Sequence, residues 1–207
     1  MQNKHLQIKV LILSFLLHHG LASQNPVIRD QYAADPSARV FNNKVYLFPS
    51  HDILATPGKG RVGWFCMEDY HVFSSDNLTD WTDHGVVVTQ NKVPWVRPDS
   101  YSMWAPDCIE REGKYYFYFP TFPKDTVAYG RGFAIGVAIA DKPEGPYLPE
   151  SAPIAGVKGI DPNVFIDKMA RPICIGRNEI YMLQSLKRIC GNWIPRSLPC
   201  EICPIRV

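Results

Sequence analysis

Three aspartates recur in one local setting. The stretches Asp35-Pro-Ser-Ala-Arg-Val-Phe-Asn-Asn-Lys-Val-Tyr-Leu-Phe48, Asp107-Cys-Ile-Glu-Arg-Glu-Gly-Lys-Tyr-Tyr-Phe-Tyr-Phe119 and Asp161-Pro-Asn-Val-Phe-Ile-Asp167 each read aspartate, short strand, turn. The first two continue into an aromatic strand. If the strands converge, these carboxylates meet in a concave, partly desolvated centre. Like charges there repel, their pKa values separate, and one group can serve as acid while another serves as base. Taken singly, each is also the residue an Asx turn uses to accept backbone N–H bonds. Three in one layout point beyond capping.

Strands have to position these groups, and the composition favours them. The 207 residues are 46% hydrophobic and 20% charged, which is globular, and 18 prolines, 14 glycines and 12% aromatics suit short strands joined by turns. Alternating or bursting apolar patterns predict strands at Ala38 to Phe41, Lys44 to Phe48, His71 to Ser74, Val86 to Val88, Lys114 to Phe119, Phe133 to Ala140 and Asn163 to Ile166. Asn42-Asn43 and Glu112-Gly113 sit between such runs at hairpin distance. A second element also recurs: Val72 to Asp76 leads to Trp81, and Val137 to Asp141 leads to Gly145-Pro146-Tyr147. Units of about four strands, each entered through an aspartate, predict an all-β chain built of β-propeller blades around a channel.

Several function classes fall away. Lys and Arg number 22 against 20 Asp and Glu, a net charge of +2, so no field gathers nucleic acid or anionic lipid. The sequence has no glycine-rich phosphate cradle, no His-x-x-x-His pair and no Gly-x-Ser-x-Gly elbow. Residues 1–22 read as a signal peptide: Lys4, His5 and Lys9, then the apolar run Val10 to Leu17, then the small residues around Gly20-Leu21-Ala22. That run is too short to span a bilayer, so export without a membrane span is expected. Export permits disulfides, yet Cys174, Cys190, Cys200 and Cys203 crowd the carboxyl-terminal end while Cys66 and Cys108 lie apart, which suits no common framework. Asn77-Leu78-Thr79 fits a glycosylation pattern but is read as a turn.

The chain resembles glycoside hydrolase family 43, the five-bladed β-propeller enzymes acting on arabinose- and xylose-containing polysaccharides. The resemblance runs through Ala34-Asp35-Pro36, Met103-Trp104-Ala105-Pro106-Asp107, Gly113-Lys114-Tyr115-Tyr116 and Gly159-Ile160-Asp161-Pro162-Asn163-Val164-Phe165-Ile166-Asp167. It implies hydrolysis of arabinofuranosyl or xylosyl linkages with inversion. Asp35 would be the general base that activates water, and Asp161 would tune the pKa of the acid and help orient a plant-type polysaccharide or oligosaccharide. Trp104 would contact the sugar from the pocket wall. Asp107 would either bond a sugar hydroxyl or satisfy backbone donors at the start of its blade. No cofactor is required; family members often hold calcium in the central channel, and its ligands are not located in this sequence.

Other residues read more plainly. His51-Asp52, after the first aromatic strand, are candidates to line the pocket, although a lone histidine is more often structural. Trp64, Trp81 and Trp95 are expected in the core. Glu144 is an exposed turn residue on this reading, because it precedes Asp161 whereas the family's glutamate acid follows that position by a blade. The chain ends at Val207, so about three blades and no general acid are expected within it. Two other classes stand beside this reading: a non-catalytic carbohydrate-binding propeller fragment, and the fructan- or sucrose-cleaving propellers. The Trp-Ala-Pro-Asp block favours family 43 over the latter.

Residues 23–167 thus read as the amino-terminal part of the propeller and 168–207 as an aberrant tail. Where the family continues with a turn and an aromatic strand, this chain has Lys168 and then Met169 to Gly176, and strand character is lost. Codons for Asp-Gly-Gln-Ala-Tyr-Leu-Tyr-Trp, read one nucleotide out of frame, reproduce Met169 to Gly176, which suggests frame slips. Asn178 to Leu183 resembles a strand again. Resequencing the DNA should reveal insertions or deletions relative to close relatives; an intact frame would refute the frame-slip reading.

Overall fold

The computed structural model describes residues 26–166, 172–176 and 179–182. The expected signal segment and most of the tail lie outside these residues. The described part is all-β apart from one 3-10 turn.

The first sheet contains β1 (Ala33–Phe41), β2 (Lys44–His51), β5 (Asp69–Ser75) and β6 (Thr82–Thr89), hydrogen-bonded in that order. Between β2 and β5 the chain makes an excursion whose two short strands, β3 (Ile53–Leu54) and β4 (Phe65–Cys66), pair only with each other. The second sheet is a meander of β7 (Asp107–Arg111), β8 (Lys114–Thr121), β9 (Ala134–Ala140) and β10 (Leu148–Pro149). A third sheet comprises β11 (Asn163–Ile166), β12 (Pro172–Gly176) and β13 (Glu179–Met182). Antiparallel pairing of all the strands in these sheets is consistent with a partial β-propeller.

The anticipated turns form for the anticipated reason. Asn42 and Asn43 have φ of 50° and 64°, and Glu112 and Gly113 have 53° and 75°, the positive values that fit a tight hairpin to strand twist. Every anticipated strand is present, but β1 starts earlier than expected, because the chain stays in the sheet across Pro36. Pro172–Gly176 is a strand paired with β11, so strand character persists where the sequence reading lost it. Two of the units have the expected four strands.

Alternation along β8 explains how the sheets stack. Tyr115, Phe117 and Phe119 join Tyr46, Phe48 and Tyr70 of the first sheet in one core, and Tyr116 and Tyr118 join Val157 and Val164 in another. Successive side chains face opposite ways. The second sheet is therefore covered on both faces, with Phe48 and Tyr70 edge-on to Phe117 at 5.9 and 5.0 Å. Trp95, buried as expected, stacks on Phe119. An added Cβ at Gly136 would lie 2.6 Å from both rings, so glycine is what lets the strand pass beneath them. Cys66 and Cys108 are buried free thiols, and no helix among the described residues is long and apolar enough to cross a membrane.

One polar group ties the three sheets together. Asp107, fully buried, accepts Arg39 Nε at 3.0 Å and Arg39 Nη2 at 2.5 Å, and its Oδ2 also accepts the Val164 N–H at 2.7 Å. Arg39 Nη2 continues to the Val164 carbonyl at 3.1 Å. Removing one partner of such a pair leaves a desolvated charge and unmet donors. Asp107→Ala should therefore cost about 3–5 kcal/mol of stability in urea unfolding.

Candidate active site

The position of Asp35 follows from a β-bulge. Ala34 pairs with Ser50 and Ser37 with Phe48, so Asp35 and Pro36 together oppose Pro49. Two residues against one leave the extra one unpaired and re-aim its side chain. Neither proline has an N–H to bring to the ladder. Asp35 takes a φ of 44°, uncommon for a residue with a Cβ, and is exposed.

Asp35 lines a hollow of about 140 Å³ together with Ser50, Asp52, Trp64, Phe65, Met67, Trp104 and Ala105. Three chain segments supply these walls: the β1–β2 end of the first sheet, the β3–β4 excursion, and the entry to β7. Trp104 is held in the wall of the hollow from both its backbone and its ring. Its carbonyl accepts the buried Tyr70 hydroxyl at 2.6 Å, and its ring packs edge-on against Phe133 at 5.7 Å. The excursion is joined to this segment because Met67 N–H donates to the Tyr101 carbonyl and Met103 N–H to that of Met67.

Asp52 also lines the hollow. Its backbone N–H donates to the Tyr32 carbonyl, and its Oδ1 accepts the Ser50 hydroxyl at 2.8 Å. Burial raises its carboxyl above the ordinary carboxylate value; the Ser50 bond opposes this, and the charge of Asp35 adds to it. His51, its neighbour, is not among the lining residues and engages Asp69 instead.

Asp161 shares the local character of Asp35. It precedes a proline, is exposed, and has a φ of 55°. Asp107 does not belong to that register. It lies four residues before Arg111, the last paired residue of β7, whereas Asp35 lies six before Phe41 at the end of β1. The residue two positions before Asp107 is Ala105, which does line the hollow. Of the two roles open to Asp107, contact with a sugar gives way to the other, because its fully buried carboxylate is occupied by Arg39 and the Val164 N–H.

Two further expectations are corrected. Trp64 is half-exposed and lines the hollow, because it sits on the excursion and not in a sheet. An adjacent aromatic pair, Trp64-Phe65, in a glycine-rich loop is the signal that could have shown this. Glu144 is a turn residue but half-buried, accepting the Tyr46 hydroxyl at 3.4 Å. Trp81 is partly buried at a turn, with its indole donating to the Leu78 carbonyl, and Asn77 caps that turn by accepting the N–H groups of Thr79 and Asp80.

Among the described residues, one cluster of ionisable side chains is close enough to share an ion. The group able to hold an ion is His51, Asp69 and His71, and two imidazoles with one carboxylate are not the six to eight oxygens that calcium takes.

The sequence profile of Glycosyl hydrolases family 43 matches residues 23–185. The chain belongs to glycosyl hydrolase family 43. The family match runs beyond Asp167 into the segment read as an aberrant tail. Xylosidase/arabinosidase 43A of Humicola insolens is 48% identical over 146 residues, covering 69% of this chain and 42% of that protein. A xylosidase/arabinosidase of Bacteroides ovatus is 39% identical over 144 residues, covering 68% and 42%. Among solved structures, CoXyl43, a family 43 β-xylosidase/α-arabinofuranosidase from a compost metagenome in complex with xylotriose, superposes with a TM-score of 0.63 at 43% identity. That match covers 72% of this chain and 44% of CoXyl43. The chain thus spans under half the length of these relatives.

The raised pKa of Asp52 has a definite sign. Its ionised form is disfavoured by folding, so its contribution is present in acid and is lost as pH rises through the raised value. Asp52→Asn, whose amide oxygen can still accept from Ser50, should raise Tm at pH 7 by on the order of 1–2 °C, solvent screening keeping the effect small. The difference should vanish near pH ~3, where both side chains are neutral. Thermal melts at the two pH values check this.

Proposed function

We propose that the chain carries the base half of an inverting glycosidase site for arabinofuranosyl or xylosyl linkages in plant-type polysaccharides or oligosaccharides. The observation that carries the reading is the bulged, positive-φ Asp35 in a hollow walled by Trp104. The names of the relatives and the xylotriose bound to CoXyl43 support the sugar class.

In this mechanism Asp35 accepts a proton from water, and the water oxygen attacks the anomeric carbon on the face opposite the leaving oxygen. Aromatic faces of Trp104 and Trp64 hold the sugar ring. Asp161 tunes the acid's pKa and orients the substrate. Asp107 serves as a positioning residue that fixes the strands behind the site. Inversion also needs a carboxylic acid about 6.5–9.5 Å from the base, across the scissile bond, to protonate the leaving oxygen. The two carboxyl groups that line the hollow among the described residues, Asp35 and Asp52, both come from the β1–β2 side. The proposal includes a five-bladed propeller plan, of which these sheets are the first blades, and export directed by residues 1–22.

A second reading, binding without cleavage, is favoured by the same aromatic walls and the one-sided carboxyl pair. Leaving groups separate the two. The 207-residue chain is expected to give little or no hydrolysis, and any residual turnover should be confined to a dinitrophenyl xyloside or arabinofuranoside, whose leaving group needs no proton. On xylobiose its rate should fall about 10²–10⁴-fold below that of a site with its acid. Asp35→Ala should abolish the dinitrophenyl activity. Saturable xylo-oligosaccharide binding in calorimetry, with no Asp35-dependent turnover of the activated substrate, would favour the binding reading.

A further inference from the structure

A polar cluster lies one strand outward from the hollow, where the β2–β5 ladder stops. These strands pair at Val45↔Ser75, Tyr46↔Ser74 and Leu47↔Phe73. Continued, that register would set Pro49 against His71 and His51 against Asp69. Pro49 has no N–H to contribute, and the chain leaves for the β3–β4 excursion just beyond. Side chains span the gap instead. His51 Nδ1 lies 2.6 Å from Asp69 Oδ1, and His71 Nδ1 lies 2.9 and 3.0 Å from the two oxygens of Asp83 on β6. The two imidazole rings are 4.8 Å apart, centre to centre, and tilted by 66°.

Strand bridging alone does not need two adjacent imidazoles. With Nδ1 turned to Asp83, the neutral tautomer of His71 keeps its lone pair on Nε2, which is how metal-binding histidines are prepared, while His51 and Asp69 exchange their mutual bond for bonds to the ion. One donor atom from each of His51, Asp69 and His71 lies within 4.8 Å of the others. Around a tetrahedral ion with bonds of about 2.0–2.1 Å, donors stand ~3.4 Å apart, a spacing these side chains reach by torsion, His51 and Asp69 opening from 2.6 Å and the wider pairs closing. The three side chains are 15%, 14% and 13% exposed, open enough for an ion to enter and closed enough to hold it partly desolvated. Two nitrogens and one carboxylate oxygen suit zinc or a neighbouring first-row divalent cation.

We infer that His51, Asp69 and His71 form a binding site for a zinc-class divalent cation, with Asp83 orienting the His71 ring and water completing the coordination. The site is separate from the sugar hollow and does not depend on the glycosidase reading.

Calorimetric titration of zinc chloride into the chelator-treated 207-residue chain, its accessible thiols first alkylated, tests the inference. Saturable uptake of one ion is expected. His51→Ala and His71→Ala should each weaken it at least ~10-fold, and Asp83→Asn about 10-fold through the orientation of His71. Asp69→Asn keeps a polar group opposite His51, so it disturbs folding least, and it should weaken zinc comparably. Circular dichroism identifies any variant that fails to fold, and Asp69→Asn then decides. No saturable uptake by the unmutated chain, or binding by folded variants as tight as by that chain, would overturn the site.

Discussion

The carboxylate of Asp107 is the point at which three segments distant in sequence are made to agree. A buried ion pair adds little net stability compared with apolar packing, but it has few geometries in which every donor is met. Here the guanidinium fork of Arg39 and the amide of Val164 must both reach it, so β1, β7 and β11 are held in one mutual orientation. Two residues that line the hollow, and Asp161, which is not among the lining residues but is proposed to tune the acid, sit a few positions upstream on those segments. Asp35 precedes Arg39 by four residues, Trp104 precedes Asp107 by three, and Asp161 precedes Val164 by three. Short tethers from a fixed point hold these residues, and that point is fully buried.

Backbone strain separates the aspartates more sharply than sequence similarity does. Asp35 and Asp161 both adopt positive φ directly before a proline, a residue that usually drives its predecessor to extended geometry. Each such position costs on the order of 1–3 kcal/mol and survives only where the surroundings enforce it. Asp107 follows a proline and lies inside a regular strand. Two aspartates are thus presented outward under strain, while the third is drawn inward to bind the strands together.

Much of this was legible in the sequence because it depends on local chemistry. Asn42-Asn43 and Glu112-Gly113 tolerate positive φ, so their hairpins were readable, and alternating or continuous apolar runs marked the strands around them. The bulge was not readable, since Asp35-Pro36 looks like a strand break until the partner strand shows Ser37 pairing with Phe48. The same missing partner hid the two-residue offset of Asp107. The exposure of Trp64 is not legible, because burial of a lone tryptophan is set by tertiary position and the excursion that exposes it has no periodicity. Pro172–Gly176 became a strand against its composition because the β11 edge supplied a template.

The strands of the β3–β4 excursion pair with nothing but each other, and beyond its two ends the excursion is tied at Met67 to Tyr101 and Met103. Its length can therefore change without shifting the register of β2 or β5, and with them the carboxylates. Trp64, Phe65 and Met67 ride on it and shape one side of the mouth. On the proposed reading, ligand preference and proton-transfer geometry are thus written on separable pieces of chain, so descendants of this fold can exchange the first by loop variation while inheriting the second unchanged.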